Sequence, residues 1–426
     1  MTEEISAIDQ PRWDPIYKLL EHTTSIGREG FEPGEEAKDF LHKIRILVIG
    51  AGGLGCEILK DLALSGFKTV DVIDMDTIDV SNLNRQFLFG EADVGKPKSV
   101  VAAAFMNDRV EGCHITAHHC KIQDMPLDFY KSFDIVIAGL DSIDARRWLN
   151  GTLVNIARER IAAGENVIPM IDGGSEGFAG QARVIAPMLD SCFECQLSSL
   201  PPQTTYPMCT IASNPRLPEH CVEFAILEFP KTHAGRKASG DNPADVQWLL
   251  EVASKRSQQY HIEGVTYKLT LGVVKNIIPA VASTNAIVAA ACVNEALKLA
   301  TNLGHQMDNY MAYSGAVGAY TNTFHYERNP ECNVCREVAA PTKYRVSPEW
   351  TLQMFIDKLA QDPNFQLKRP SLTTPDNSVT LYMRIIEATH ANLPRPLGEL
   401  TRPGMVISVS DPCLTSPLLL ELEFTK

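Results

Sequence analysis

The sequence predicts an α/β fold built on a doubly wound, mostly parallel sheet. The apolar run at residues 44–49 ends in a glycine-rich turn and precedes a segment with helical spacing, which gives the order strand, turn, helix. Two further apolar runs, at 70–73 and 134–138, lead into Asp74 and Asp141, with helix-like segments between them. We therefore expect the turn at 50–55 and both carboxylates to lie at the functional edge of one sheet.

The chain's composition indicates an ordinary globular protein. Its 426 residues suffice for about three domains, and 45% of them are hydrophobic. The 39 basic and 52 acidic residues give a net charge of −13 without a basic stripe, so no nucleic-acid partner is expected. Eleven scattered cysteines, with no secretory signal pattern, favour reduced thiols in the cytoplasm or nucleus. The uncharged stretch at 276–294 contains Pro279 and is rich in alanine, which favours a buried helix over a membrane span.

Changes in pattern divide the chain into four segments. Five prolines between Leu197 and Glu219 exclude a regular helix there and predict a long loop that opens an inserted lobe. Near the C-terminus, Ser347-Pro348 can start a helix whose apolar residues repeat from Leu352 to Leu359, with strand-like runs around it. This pattern is typical of a ubiquitin-like β-grasp domain. The predicted boundaries are 1–195 and 267–340 for the two parts of the sheet domain, 196–266 for the inserted lobe and 345–426 for the last domain.

The glycine-rich turn has the spacing G-x-G-x-x-G at Gly50, Gly52 and Gly55, with Asp74 twenty-four residues after the first glycine. Glycines at these positions let the backbone approach phosphate at a helix N-terminus, and the carboxylate can accept hydrogen bonds from a ribose. The pattern therefore predicts a Rossmann-like nucleotide site, against the alternative of a purely structural turn. It does not distinguish ATP from the nicotinamide cofactor of an oxidoreductase.

The residues after Asp74 favour a triphosphate. Polar and basic groups concentrate here, and Asp141 can hold the divalent cation that bridges phosphate oxygens. Two alternatives stay open at this point: Asp74 or Asp141 could be a helix N-cap, and Arg85 or Lys98 a solvated surface charge. The candidate nucleotide-binding residues are Gly50, Gly52, Gly53, Gly55, Asp74, Asp76, Asn82, Arg85, Gln86, Lys98 and Asp141.

Several segments together resemble one enzyme family. The strings GAGGLGCE, DMDTIDVSNLNRQFLF, GKPKSVVAA and GLDS are similar to the adenylation domain of ubiquitin-like modifier activating enzymes. PMCTIAS, around Cys209, and PRLPEHCVEF are similar to the catalytic subunits of the neddylation branch of that family. The resemblance extends from about residue 12 to the C-terminus.

The resemblance implies a two-step reaction and assigns residues to it. ATP and Mg²⁺ adenylate the C-terminal glycine of a Nedd/Rub-type modifier, which then forms a thioester on a cysteine before its transfer to a conjugating enzyme. In this interpretation Asp74 binds the ribose, Asp141 binds magnesium, and Cys209 is the nucleophile, with Cys221 as its nearest rival. Asn82, Arg85, Gln86 and Lys98 surround the phosphates, and Arg85, Lys98, Asp141 and Cys209 form the catalytic set.

Two CxxC pairs, Cys192/Cys195 and Cys332/Cys335, each have the local spacing of a zinc ligand pair. The pairs have 136 residues between them, far more than in a compact zinc finger, so redox-active or unrelated thiols remain an alternative. The family resemblance favours one structural Zn²⁺ that joins the lobe's leading segment to the end of the adenylation domain.

The resemblance also implies partners. The N-terminal segment PRWDPIYKLLEHTT lacks the second arginine of the R-Y-x-R-Q segment usual in homodimeric relatives, which favours a heterodimer with a non-catalytic subunit. The last domain would contribute to docking of the conjugating enzyme. Arg183 would face the modifier's tail and exclude ubiquitin, whose tail has an arginine there, unless it is only an edge-strand charge. The alternative functions are a catalytic subunit for another modifier, such as SUMO, and a nicotinamide-dependent oxidoreductase.

Overall fold

The computed structural model describes residues 11–200, 215–240, 242–275, 280–305, 307–337 and 340–425. Two compact units are present. The described residues up to Leu200 and from Ala280 onward form the first unit, and those in between form the second. The predicted nucleophile, Cys209, lies outside the described residues.

The first part of the chain alternates strands and helices as predicted. The strands at 45–49, 69–73 and 135–138 consist mainly of β-branched and aliphatic residues and are almost entirely buried, which is typical of parallel strands covered by helices. The elements are α1 (Asp14–Leu20), α2 (Glu35–Lys43), β1 (Arg45–Ile49), α3 (Gly53–Leu64), β2 (Thr69–Ile73), α4 (Lys98–Arg109), β3 (His114–His118), α5 (Leu127–Lys131), β4 (Ile135–Ala138), α6 (Ile143–Ala163), β5 (Met170–Glu176) and β6 (Ala179–Ile185).

The second unit contains three helices among its described residues: α7 (Pro218–Thr232), α8 (Pro243–Gln259) and α9 (Tyr267–Lys275). Cys221, Phe229 and Leu249 are fully buried in its small core, and the partly buried Leu269 packs against it. Helix α9 therefore belongs to this unit, whereas the sequence places the return to the sheet domain at residue 267. The predicted lobe, 196–266, therefore ends too early: the described residues of this unit continue to the end of α9, because the apolar face of α9 packs on α7 and α8.

After the second unit the chain returns to the first. Helix α10 (Ala282–Thr301) is followed by β7 (Tyr310–Ser314) and β8 (Tyr320–Phe324). Small residues on the sheet make room for α10: a Cβ added to Gly173 would lie 3.1 Å from the sulfur of Cys292. Helix α10 accounts for most of the uncharged stretch, and no helix among the described residues is long and apolar enough to cross a membrane.

The large sheet has eight strands in the order β3-β2-β1-β4-β5-β6-β7-β8. Strands β1 to β5 are parallel to their neighbours, and β5 to β8 are antiparallel. The chain leaves β1 toward β2 and β3 on one side and then crosses to β4 on the other. The sheet is therefore doubly wound, as predicted, with its change of direction between β1 and β4.

The C-terminal domain is a five-stranded mixed sheet with one long helix across it. Its elements are β9 (Thr342–Val346), α11 (Leu352–Gln361), β10 (Ser371–Thr373), β11 (Thr380–Tyr382), α12 (Leu397–Leu400), β12 (Val406–Ser410) and β13 (Leu418–Phe424). The strand order is β11-β10-β12-β13-β9, with β9 parallel to β13. Thr351 caps α11, whose Leu352, Phe355 and Leu359 are fully buried against the sheet. This arrangement confirms the predicted β-grasp domain.

A buried polar contact attaches the C-terminal domain to the domain of the large sheet. Arg147, on α6, donates two hydrogen bonds to Glu194, at 2.6 and 3.1 Å, and a third to the carbonyl oxygen of Gln366, at 3.1 Å. Lys368 pairs with Asp144 at 2.7 Å. Because Arg147 and Glu194 are both almost fully buried, this contact combines charge pairing with desolvation and has a fixed geometry.

Candidate active site

The carboxyl ends of β1, β2 and β4 lie side by side and lead into the predicted site residues. Strand β1 is hydrogen-bonded to both β2 and β4, so Asp74, after β2, and Asp141, after β4, flank the turn at Gly50–Gly55. This is the point at which the sheet changes direction, where open α/β sheets form a ligand crevice. The structure thus brings the glycine turn, Asp74 and Asp141 to one edge of the sheet, as the sequence predicts.

The turn after β1 has a geometry that requires glycine. Gly50 has φ = +96°, and a Cβ there would lie 2.7 Å from the carbonyl oxygen of Gly139. A Cβ on Gly55 would overlap the carbonyl oxygen of Gly50. The backbone therefore forms a close cradle at the N-terminus of α3, of the kind that binds phosphate groups.

Asp74 holds this cradle in place. Its carboxylate accepts hydrogen bonds from the backbone N–H of Ala51, at 2.6 Å, and of Asp76, at 2.7 Å. Burial raises the pKa of Asp74, while these two hydrogen bonds oppose the rise. Asp74 caps neither neighbouring helix, so its predicted alternative as a helix N-cap is wrong. Its side chain links the glycine turn to the segment that follows β2.

That segment presents two cationic groups to the edge. Lys98, the first residue of α4, is 8% exposed, so the alternative of a solvated surface charge is wrong for it. Its ammonium lies 3.1 Å from Asp76. The Arg85 guanidinium donates to the Ser81 carbonyl oxygen and to Asn84, both at 2.9 Å. Among the described residues no carboxylate pairs with Arg85, so its charge is available to an anionic ligand.

Gln86 and Asn82 complete this segment in different ways. Gln86 is 3% exposed, and its Oε1 has no hydrogen-bond partner among the described residues. An orphaned buried acceptor beside a glycine cradle fits a ligand that supplies donors, such as a nucleotide. The Oδ1 of Asn82 accepts from the backbone N–H of Asp79 at 3.0 Å, so Asn82 shapes the loop.

Asp141 is exposed at the end of β4. The N-cap of α6 is its neighbour Ser142, which accepts from the backbone N–H of Ala145, so Asp141 is not the N-cap. Within the described ranges its carboxylate has neither a hydrogen bond nor an ion pair. The turn is fixed to β1, since Gly139 donates to the carbonyl oxygen of Ile49 at 2.8 Å. A free carboxylate on a fixed turn is suited to a hydrated divalent cation.

The returning helix supplies a residue that the sequence did not suggest. Asn285, on α10, is 3% exposed and lies against the glycine turn, where a Cβ on Gly53 would overlap its amide nitrogen. Its Oδ1 accepts from Ser175 at 2.5 Å. The sequence offered only a weak signal, a polar residue near the start of a mostly apolar helix. Asn285 thus supports the turn from a segment more than 230 positions away.

Cys221, the rival nucleophile, is fully buried on α7, and burial raises the pKa of its thiol. A buried thiol with a raised pKa is a poor nucleophile, because the thiolate is the reactive form. The structure therefore disfavours Cys221 and does not describe Cys209.

The two CxxC pairs converge into one cluster. The sulfur atoms of Cys192, Cys195, Cys332 and Cys335 all lie within 4.8 Å of one another. The Cys192–Cys332 and Cys192–Cys195 sulfur distances are both 3.7 Å, and Cys195–Cys335 is 3.4 Å. A tetrahedron with metal–sulfur bonds of about 2.3 Å has sulfur–sulfur distances of about 3.8 Å. The four thiols are thus placed to bind one metal ion.

Arg183 lies on β6, an interior strand, so the alternative of an edge-strand charge is wrong. Its side chain is 4% exposed and pairs with Asp172 at 3.3 Å. It also donates to Gln196 at 2.9 Å, and its guanidinium carbon lies 4.4 Å from the ring centre of Phe193. The predicted contact with a modifier's tail stays a prediction.

Comparisons with known proteins agree with this architecture. The ThiF family model matches residues 27–334, and the model of the E2 binding domain matches residues 345–424. Together with the adenylation fold and its nucleotide edge, they define the class: the chain is a ubiquitin-like modifier activating enzyme, a ligase of the ThiF family.

Full-length relatives narrow the class further. The NEDD8-activating enzyme E1 catalytic subunit of Dictyostelium discoideum is 48% identical over 98% of both chains, and that of Caenorhabditis elegans is 48% identical over 97% of both. SUMO-activating enzyme subunit 2 of D. discoideum is 41% identical but matches only 49% of this chain. The chain belongs to the family of NEDD8-activating enzyme E1 catalytic subunits. The oxidoreductase alternative is therefore wrong.

Proposed function

We propose that this chain adenylates the C-terminal glycine of NEDD8, a Nedd/Rub-type modifier, at the carboxyl edge of β1, β2 and β4. The modifier then forms a thioester on Cys209 and passes to a conjugating enzyme. The observation that supports this most directly is the convergence of the glycine turn with three side chains that have no charge or hydrogen-bond partner for the relevant group among the described residues: the Oε1 of Gln86, the charge of Arg85 and the carboxylate of Asp141.

ATP is a substrate of the first step. An oxygen of the modifier's terminal carboxylate forms a bond to the α-phosphorus, the bond from that phosphorus to the bridging oxygen breaks, and pyrophosphate leaves. Asp74 would bind the ribose, and Arg85, Gln86 and Lys98 would hold the phosphates. Asp141 would hold Mg²⁺, which would supply positive charge near the phosphates.

The second step is an acyl transfer to sulfur. The Cys209 thiolate would attack the activated carbonyl carbon, a carbon–sulfur bond would form, and AMP would leave with its electron pair. The burial of Cys221 supports this assignment, because it makes the nearest other thiol unsuitable. The E2 binding domain at 345–424 supports subsequent transfer to a conjugating enzyme.

The four-cysteine cluster would hold one structural Zn²⁺. Four thiolates leave no open coordination position, so this metal would join the two parts of the chain and not activate water. We also propose that the chain acts as a heterodimer with a non-catalytic subunit in the cytoplasm or nucleus. The cysteines among the described residues form no disulfides, which supports a reducing compartment.

Replacing Cys332 by serine should remove the metal without abolishing adenylation or thioester formation. We expect zinc content to fall from one per chain toward zero and the melting temperature to drop by about 5–10 °C, because the cross-link between distant segments is lost. Metal analysis and thermal unfolding measure both. Serine at Cys413, a buried cysteine outside the cluster, is the control and should leave the zinc content unchanged. A fully reduced parent protein without metal would contradict the assignment.

The proposed function is tested by ATP–pyrophosphate exchange with the chain and its partner subunit. Exchange should require added NEDD8, because pyrophosphate is released only when a modifier carboxylate attacks ATP. Arg183 would act in the same assay as the gate against ubiquitin, since two guanidinium groups in a partly desolvated channel repel each other. Exchange that proceeds equally without a modifier would overturn the proposal.

A further inference from the structure

A buried cluster beside the carboxyl ends of β1, β2 and β4 contains one carboxylate and two guanidinium groups. Asp172 is fully buried, and its Oδ1 lies 2.7 Å from Nε of Arg146, while its Oδ2 lies 3.3 Å from Nε of Arg183. Both arginines are at least nine-tenths buried. The two guanidiniums lower the pKa of Asp172 against the effect of its burial, so the carboxylate is ionised. Within the described chain no other carboxylate pairs with either arginine, and the cluster therefore carries one net positive charge.

The remaining contacts of the cluster are neutral. Arg146 donates to the carbonyl oxygen of Gly173 at 2.9 Å, and Arg183 donates to the side-chain oxygen of Gln196 at 2.9 Å. Gln181 donates to Asp172 at 3.0 Å, and its own buried Oε1 has no partner among the described residues. These groups fix the positions of the two cations without neutralising them. An unneutralised charge in a desolvated site acts strongly on a neighbouring ligand, since little water screens it.

The cluster is next to the carboxyl end of β4, where adenylation is proposed. Asp172 is in register with Ala138, the last residue of β4, on one side and with Arg183 on the other. Asp141 follows Ala138 by three residues, and Arg146 is the fourth residue of α6, the helix that begins shortly after Asp141. A modifier tail whose terminal carboxylate reacts at this edge would therefore pass close to both arginines.

We propose that Arg146 is a second specificity-determining residue and that the enzyme selects modifier tails by the net charge of the Arg146–Asp172–Arg183 cluster. This inference rests on the proposed function, in which Arg183 faces the tail. The accepted ligand is an extended C-terminal peptide with a neutral residue at the tail position that faces Arg183. A peptide with an arginine at this position is rejected. Asp172 sets the strength of the rejection, because it cancels only one of the two positive charges.

The test uses the heterodimer and two forms of NEDD8. One form has arginine at the tail position that faces Arg183, and the other has its neutral isostere citrulline there. For each variant, kcat/KM of modifier-dependent pyrophosphate exchange gives a rejection ratio between the two tails. Arg146→Gln brings the cluster to zero net charge, and we expect the rejection ratio to fall by about 10-fold or more while the citrulline tail changes less than about 3-fold. Arg146→Lys keeps the charge and should keep the rejection.

A second variant adds negative charge and removes neither arginine. Gln196→Glu has nearly the same shape, and its carboxylate would face Arg183, so the rejection ratio should also fall. Gln196→Met is the neutral control and should reject the arginine tail as the parent does. Thermal unfolding shows that each variant is folded.

The outcomes distinguish this inference from the proposed exclusion of ubiquitin by Arg183 alone. If Arg183→Gln lowers the rejection ratio but Arg146→Gln and Gln196→Glu do not, Arg183 acts alone and the charge-cluster inference is overturned. If Arg183→Gln itself leaves the rejection unchanged, the proposed gate is wrong, and the inference that rests on it fails with it.

Discussion

Replacing Cys209 by alanine should abolish the reductant-sensitive thioester between this chain and NEDD8. ATP–pyrophosphate exchange should stay within about 2-fold of the parent rate, because adenylation precedes the attack by the thiol. Non-reducing electrophoresis of the charged enzyme measures the first quantity and radiolabelled pyrophosphate exchange the second.

Cys221→Ala is the matched control, since it removes the other thiol close in sequence. Because Cys221 is fully buried in the core of the second unit, this variant should keep the thioester and lose only stability. A thioester that persists in Cys209→Ala and disappears in Cys221→Ala would reverse the assignment.

Replacing Asp141 by alanine should reduce modifier-dependent pyrophosphate exchange by about 100-fold or more. The reason is that the departing pyrophosphate would lose the carboxylate proposed to hold its neutralising cation. Raising the Mg²⁺ concentration should recover part of the rate, and steady-state exchange across a Mg²⁺ titration measures this.

Asp144→Ala is a control in the same segment. Asp144 pairs with Lys368 of the C-terminal domain at 2.7 Å and takes no part in the proposed adenylation. Its exchange rate should remain near that of the parent. An Asp141→Ala variant that exchanges pyrophosphate as fast as Asp144→Ala would remove Asp141 from the mechanism.

The nucleotide edge was predictable from the sequence because its parts are local. Each strand carries its own functional residue at its end, as Asp74 and Asp141 do, and parallel pairing brings such ends together without further information. The β-grasp domain was predictable for a similar reason, since the apolar residues from Leu352 to Leu359 follow one helical face.

The charge cluster was not predictable, because its members come from one helix and two strands. No spacing in the sequence says that Arg146 and Arg183 share the carboxylate of Asp172. Polar contacts between distant segments depend on packing distances of a few ångströms, which periodicity does not contain. The contact between Arg147 and Gln366, 219 residues apart in sequence, escaped prediction for the same reason.

The end of the inserted unit was misplaced for a different physical reason. Helical periodicity shows that α9 has an apolar face but not which core that face covers. The face carries Leu269 and Val273, and these pack with the core of α7 and α8. The nine helical residues of α9 therefore belong to the second unit, although the sequence placed them with the returning part of the sheet domain.

The antiparallel pairing of β6 with β7 means that the large sheet is completed by chain from both sides of the second unit. Cleavage of one peptide bond in the second unit would therefore leave the two fragments associated through the large sheet. Trypsin cleavage after the exposed Lys237, in the loop between α7 and α8, should give two fragments on a denaturing gel that elute as one particle from a sizing column. The protein could accordingly be produced as two co-expressed pieces that assemble into one fold.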